Sequence, residues 1–318
     1  MKKFLARSAS FLMITLGVCL VIQLAVSLWI RGKVIKGSDN LDLYAGQDNE
    51  IVFIGSSRCN SHFAPALFAR DLHMNAVNLG IEGHSELSMH FLRLENYLKK
   101  NHPPRFAILN IDPFATAGDF ENSEPDYFAK DAFSRFAFMP SSANRAIVDY
   151  FHFNAAEKYL PLYALLYNRS LLDCIIPIAD KKWKADGYFR RDGSWDTIAK
   201  PVASQLSIRR YYDANVKAWR ETAQMLHSLD SLCQSHRIRL LCIQTPIYKA
   251  AFDSNYYAYT GRICAEAGVP YFDYCKPFID DDISNFYDIE HMNTKGVNLM
   301  MRTLMADSSF RSLIKKGP

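Results

Sequence analysis

Five short apolar runs constrain this chain more than any other feature. They are Ile51 to Ile54, "MNAVNLG" (74–80), "FAILNID" (106–112), "IRLLCIQTP" (238–246) and "GVPYFDY" (268–274). A strand with one wet face alternates polar and apolar residues, whereas a continuous apolar run suits a strand buried on both faces. Helical periodicity lies between the runs. "SELSMHFLRLENYLKK" sets Leu87, Phe91, Leu94 and Leu98 at steps of four, three and four, and ahead of the fourth run Val216, Trp219, Ala223, Leu226 and Leu229 share one helical face. Pro65 opens a further helix with "ALFARDL". Strands alternating with helices predict an α/β fold, a parallel sheet of about five strands with helices on both faces.

The amino-terminal end obeys a different pattern. No charged residue lies between Arg7 and Arg31, and Phe11 to Ile30 is an apolar run of 20 residues. At about 1.5 Å per residue this matches a hydrocarbon core of about 30 Å. It predicts one transmembrane helix, with the bilayer as partner through residues 8–30. A cleaved signal peptide competes, since "MKK" supplies a basic start and Ala25-Val26-Ser27 a tolerable cleavage site. The run continues through Leu28, Trp29 and Ile30, and Trp29 beside Arg31 and Lys33 suits an interfacial position, which favours an uncleaved anchor. Basic residues flank both ends about equally. The orientation expected is therefore the usual one for a first span, with the amino end in the cytoplasm and the remainder extracytoplasmic, in a periplasm or its equivalent. The predicted organisation is a membrane anchor over 1–36, a polar linker over 37–49 and a domain over 50–318, interrupted by an aromatic insertion over about 115–210.

The formal charge of +4 belongs to the anchor. Six of the 37 Lys and Arg lie in the first 36 residues, which contain no acid, so 31 basic residues face 33 acidic ones in the remainder. That part is slightly acidic and offers no electrostatic case for binding nucleic acid. Of seven cysteines, Cys19 lies in the apolar run and six are scattered, with no C-x-x-C pair and no histidine cluster at metal spacing. No metal and no cofactor are expected, and disulfide pairing cannot be read from the spacing.

The first strand stops at a glycine in "IVFIGSSRCN" and exposes Ser56, Ser57 and Arg58 in a strand-to-helix turn. In α/β folds such turns lie at the carboxyl edge of the sheet, where ligands bind. A serine becomes a nucleophile only when a base takes its proton and a third group orients the base. Near the carboxyl end, "FYDIEHMNTKGV" places Asp288 three residues before His291. The carboxylate can fix one imidazole nitrogen while the other meets a serine brought in by the fold. The alternative is a surface turn capping the last helix. "NLGIEGHS" (78–85) is a glycine-rich turn whose backbone amides could hold an oxyanion, or an ordinary loop.

These segments, in the order Ser, Gly turn, Asp-x-x-His, resemble the SGNH (GDSL-type) hydrolase superfamily. The resemblance implies a flavodoxin-like sheet in the SGNH hydrolase fold, with Ser57 as nucleophile and Asp288 and His291 completing a triad. Asn78, Gly80 and Gly83 match the second block of the superfamily, which makes the Gly83 amide an oxyanion donor beside that of Ser57. The third block, Gly-x-Asn-Asp, meets "LNIDP" here, so Asn110 or Asp112 stands near the expected asparagine and neither matches cleanly. Asn110 is the better donor on chemical grounds, because a carboxylate repels an oxyanion unless protonated. The "GSSR" form, the anchor and the insertion look most like membrane-anchored SGNH-like proteins of cell-envelope acylation, such as the DltD-like D-alanyl transfer and alginate acetylation proteins.

The insertion carries "KKWKADGYFRRDGSW" (181–195), in which Trp183, Tyr188, Arg190 and Trp195 could meet a sugar face and an acidic polymer, or simply pack a cover onto the sheet. The function expected is acyl transfer through an acyl-serine, by an O-acyltransferase or esterase acting on an acyl ester of an extracytoplasmic glycan or envelope polymer. A polytopic membrane acyltransferase is a candidate partner. The alternatives are a non-catalytic SGNH-like partner of such an acyltransferase, or a glycan-binding protein, and a plain flavodoxin-like binding domain.

Overall fold

A computed structural model describes residues 1–30, 44, 46–81, 85–118, 153–163, 166, 186–195, 219–249 and 255–317. The chain divides into two compact units, Met1–Leu43 with Glu121–Asp180, and Tyr44–Phe120 with Lys181–Pro318. Most of the expected linker and insertion, and Val216, fall outside the described residues.

In the second unit, strands β1 (Ile51–Gly55), β2 (Ala76–Asn78), β3 (Phe106–Asn110), β4 (Arg239–Gln244) and β5 (Tyr271–Asp273) form one sheet in the order β2-β1-β3-β4-β5. Every neighbouring pair is parallel. This is the flavodoxin-like order, and its reversal between β1 and β3 opens a crevice beyond their carboxyl ends. All five apolar runs become strands: β1 takes in Gly55 beyond its run, and the other four are shorter than theirs. β1 and β3 are buried along their whole length, which is why their runs are apolar without alternation.

Alternate residues serve opposite faces. Ile51, Phe53, Phe106, Ile108, Leu241 and Ile243 share one core with Phe68 of helix Pro65–Leu72, Met300 and Leu304 of Thr294–Ala306, and Phe310 of Ser308–Lys316. Helices Leu87–Leu98, Trp219–Ser235 and Asn255–Ala267 contribute nothing to that cluster and pack on the strands from the other side. Helices therefore cover both faces. Pro65 is the first residue of its helix, where its missing N–H costs nothing.

One helix departs from expectation. The sequence predicts the first helix at Pro65, but Ser57–His62 is already helical. Ser56 is the cause: its Oγ accepts the Arg58 N–H at 3.2 Å and caps the turn. In the first unit, helix α1 (Lys2–Ile30) runs for 29 residues. By length and composition it is apolar enough to cross a membrane.

Backbones approach closely where β1, β2 and the Ser57 helix meet. A Cβ on Gly80 would lie 2.5 Å from Asn60 N and 2.9 Å from Cys59 Cβ. Gly80→Ala should therefore cost about 1–3 kcal/mol through overpacking. Gly261→Ala, inside helix Asn255–Ala267 with its Cβ at an ordinary 3.5 Å from Tyr271, should instead stabilise by about 0.5–1 kcal/mol. Urea unfolding of the two variants checks both signs.

Candidate active site

Ser57 sits at the carboxyl end of β1 as the first residue of its helix. Its Oγ lies 2.8 Å from His291 Nε2, across 234 positions of sequence. His291 Nδ1 lies 2.8 and 2.9 Å from the two Asp288 carboxylate oxygens. A carboxylate only accepts, so the shared proton resides on Nδ1 and the Nε2 lone pair faces the serine hydroxyl. Asp288 Oδ1 also accepts the backbone N–H groups of Glu290 and His291, each at 2.9 Å. Burial acts to raise the Asp288 carboxyl, but the hydrogen bond and charge of His291 together with the two amides outweigh it and hold the group below its usual range. Asp288-x-x-His291 is thus a closed loop around a fixed carboxylate. The helix after it is capped by Asn293, which accepts from the Lys295 and Gly296 amides.

A buried polar network lies beneath this pair. The Arg58 and Asp112 side chains are 0% and 1% exposed, and Arg58 Nη1 meets Asp112 Oδ1 at 2.6 Å. Arg58 Nη2 donates to the Thr245 carbonyl and, at 3.0 Å, to Thr245 Oγ1. Asn110 Nδ2 donates to Asp112 Oδ1 at 3.1 Å, and Thr245 Oγ1 donates to Asn110 Oδ1 at 2.8 Å. With its one proton committed, Thr245 Oγ1 accepts from His62 Nδ1 at 2.8 Å. That leaves His62 Nε2 to accept the Met292 N–H at 2.9 Å. The residue after His291 is therefore tied to the helix that begins with Ser57. Burial, then the charges of Arg58, His291 and Arg191, hold His62 well below the ordinary imidazole range, so it stays neutral and able to accept. Burial pushes the Asp112 carboxyl up, with Arg58 opposing.

Sequence reasoning missed Arg58, His62 and Thr245. The signal lay in polar residues at the carboxyl ends of buried strands, Asn110 and Asp112 in "FAILNID" and Thr245 in "IRLLCIQTP", and in Arg58 and His62 four apart in "SSRCNSH".

Of the other expected site residues, Gly83 and Trp183 lie outside the described residues. The Ser57 N–H, at a helix start, has no acceptor among the described residues. One Asn110 amide hydrogen is committed to Asp112. Asn78 ties elements together: its Nδ2 donates to the Cys59 and Phe63 carbonyls, both at 2.8 Å, and its Oδ1 accepts the Gly80 N–H at 2.8 Å.

Residues 186–195 form a strap across the same edge of the sheet. The Asp186 carbonyl accepts from Asn78 N, Phe189 N donates to the Asn60 carbonyl, the Arg191 carbonyl accepts from Thr294 N and Trp195 N donates to the Phe286 carbonyl. Tyr188 and Phe189 are buried, so these rings pack the strap down and present no open face to a sugar. Arg190 is paired with Asp192 at 2.7 Å. Trp195 is half-buried and meets Tyr248 edge-on at 5.2 Å between centroids.

No protein-family model matches the sequence, and a search of curated proteins finds no match. Several solved structures are similar, two of them as follows. One is a candidate acylhydrolase from Bacteroides fragilis NCTC 9343, with 12% identity and a TM-score of 0.39 over 84% of this chain and 90% of that one. The other is a GDSL-like lipase from Bacteroides thetaiotaomicron VPI-5482, with 12% identity and a TM-score of 0.37 over 83% and 88%. Likeness of that degree assigns no chemistry.

The neutrality of His62 has a measurable consequence. An unfolded histidine titrates near about 6.5, while the folded site refuses the proton. The unfolded chain then binds more protons, so stability falls as pH drops below about 6.5. Urea unfolding at pH 7 and pH 5 should show a smaller loss for His62→Gln than for the wild type. An equal loss would mean that His62 protonates in the folded protein.

Proposed function

We propose that the chain is a membrane-anchored serine acyl-transfer enzyme, an O-acyltransferase or esterase. The observation that carries this reading is the contact of 2.8 Å between Ser57 Oγ and His291 Nε2, with His291 Nδ1 held by Asp288. As Ser57 Oγ attacks an acyl carbonyl, His291 takes its proton, and Asp288 stabilises the imidazolium that forms. The tetrahedral oxyanion meets the Ser57 N–H, with Gly83 and Asn110 as further donors implied by the SGNH resemblance. The ester C–O bond breaks, the leaving alkoxide takes the proton from His291, and an acyl-Ser57 remains. A second hydroxyl, of water in an esterase or of an acceptor in a transferase, gives its proton to His291 as its oxygen attacks the acyl carbon; the bond from that carbon to Ser57 Oγ then breaks, and Ser57 Oγ takes the proton back from His291.

α1 serves as the anchor in this reading, with the catalytic unit extracytoplasmic. An envelope glycan or polymer as substrate, and a polytopic acyltransferase as partner, fit that placement and the resemblance to envelope-acylation proteins. One observation favours the alternative, a non-catalytic SGNH-like partner or glycan binder: an Asn110 hydrogen, expected at an oxyanion, is spent on Asp112.

A serine-reactive phosphonate separates the two readings without knowledge of the substrate. The full chain should be labelled on Ser57. Ser57→Ala and His291→Ala should each lose labelling by about 10³-fold or more, with unfolding midpoints close to wild type. Asp288→Asn should label more slowly than the wild type yet faster than Ser57→Ala, because Asp288 orients the base and transfers no proton itself. Undiminished labelling of Ser57→Ala would end the assignment, and an unreactive wild type would favour the non-catalytic partner.

A further inference from the structure

We propose that residues 153–163 and Leu166 make a second contact with the membrane, lying in the lipid interface against one face of α1; this rests on α1 crossing the bilayer. The argument begins with Gln23. It stands in the apolar run, where a side-chain amide needs internal hydrogen-bond partners because lipid offers none. Thr15, the polar residue a little earlier, satisfies itself by donating to the Phe11 carbonyl at 2.9 Å. Gln23 reaches outward instead. Its Oε1 accepts the Leu162 N–H at 2.9 Å.

Exposure along α1 shows which face is covered. Gln23 is 2% exposed, between Ile22 at 43% and Leu24 at 50%. Cys19 and Val26, four residues before it and three after, are half-buried. These three positions form one stripe of a helix, and the other described residues of α1 are exposed. Leu162 is shaped for the contact: its φ of +65° is uncommon for a residue with a branched side chain and turns its N–H out of the local helical pattern. Leu166 N donates to the Leu162 carbonyl at 2.9 Å.

The bond to Gln23 sets the depth of the segment. The apolar run ends at Ile30, seven residues beyond Gln23. Leu162 thus lies about 10 Å inside the end of the run, within the depth to which interfacial segments insert their apolar side chains. The exposed residues around it fit that place. Tyr159, Leu160 and Leu166 are 63%, 43% and 61% exposed, and Phe278 and Tyr287 complete the exposed large hydrophobics outside α1 among the described residues. A cluster of two leucines and a tyrosine is costly in water and suited to the headgroup boundary, where tyrosine rings concentrate. The polar end of the segment is closed on itself: Asn154 and Glu157 cap the short helix Ala155–Tyr159 reciprocally. Lipid is favoured over a protein partner because the cluster adjoins the face of the membrane helix at a depth that Gln23 fixes.

Photocrosslinking of the full chain in its native membrane tests this. p-Benzoylphenylalanine is placed singly at Tyr159, Leu160 or Leu166, with Phe11 in α1 as reference and each sample kept dark as background. Irradiation should give lipid adducts at 159, 160 and 166 with yields within about threefold of that at 11, and at least tenfold above the dark background. Adducts at 11 with none at the three positions would overturn the inference and leave the anchor standing. A protein-sized crosslink at the three positions in place of lipid would overturn it in favour of a protein partner. No lipid adduct at 11 would overturn the anchor and this inference together.

Discussion

The buried ion pair between Arg58 and Asp112 is the contact on which the rest of the candidate site depends. Taking two charges out of water costs several kcal/mol per ion, and their attraction offsets this only where other polar atoms complete the arrangement. Here Asp112 also accepts from Asn110, and Arg58 also reaches the Thr245 carbonyl and hydroxyl, leaving its buried Nε without a partner among the described residues. The pair therefore binds the helix starting at Ser57 to the ends of β3 and β4. Losing either partner would strand the other charge, at about 3–5 kcal/mol. A well-packed apolar replacement could match the stability of the pair but not its directions, and directions are what place Ser57 and His291.

Backbone contact supplies the second constraint. Asn78 holds two carbonyls of the Ser57–His62 region, and Gly80 leaves room for Asn60 to press against the turn after β2. From the other side the strap lays Phe189 N–H on the Asn60 carbonyl, and Gly187, at φ +82°, lets it pass against the Asn78 carbonyl. A helix of six residues has little stability of its own. It persists because it is gripped at both flanks and capped by Ser56.

That dependence explains what could be read from the sequence. The strands were legible because burial on both faces leaves a continuous apolar signature, and Ser57, Asp288 and His291 were legible because each sits in a short local pattern. The helix at Ser57 was not, since "SRCNSH" has no apolar periodicity and owes its form to partners at Asn78, Asp112 and Thr245. The strap was misleading for a related reason. Its rings lie among basic residues, as in a binding surface, and nothing local reveals that Tyr188 and Phe189 turn inward, because the groups that seat them are Asn60, Asn78, Phe286 and Thr294.

Position and electrostatics in this site come from one source. His62 and His291 stand edge to face with centroids 6.3 Å apart. When His291 takes the serine proton it becomes a cation, and a second cation at that distance in a partly desolvated site would oppose the step. Full burial and the adjacent guanidinium of Arg58 keep His62 neutral. Arg58 is itself held there by Asp112. Converting His62 into a cation would therefore break its acceptor bond to Met292, loosen the loop and raise the cost of proton transfer at once. The burial that makes the Arg58–Asp112 pair costly is the same burial that keeps the neighbouring imidazole uncharged, so the network could not be solvated to relieve the first without giving up the second.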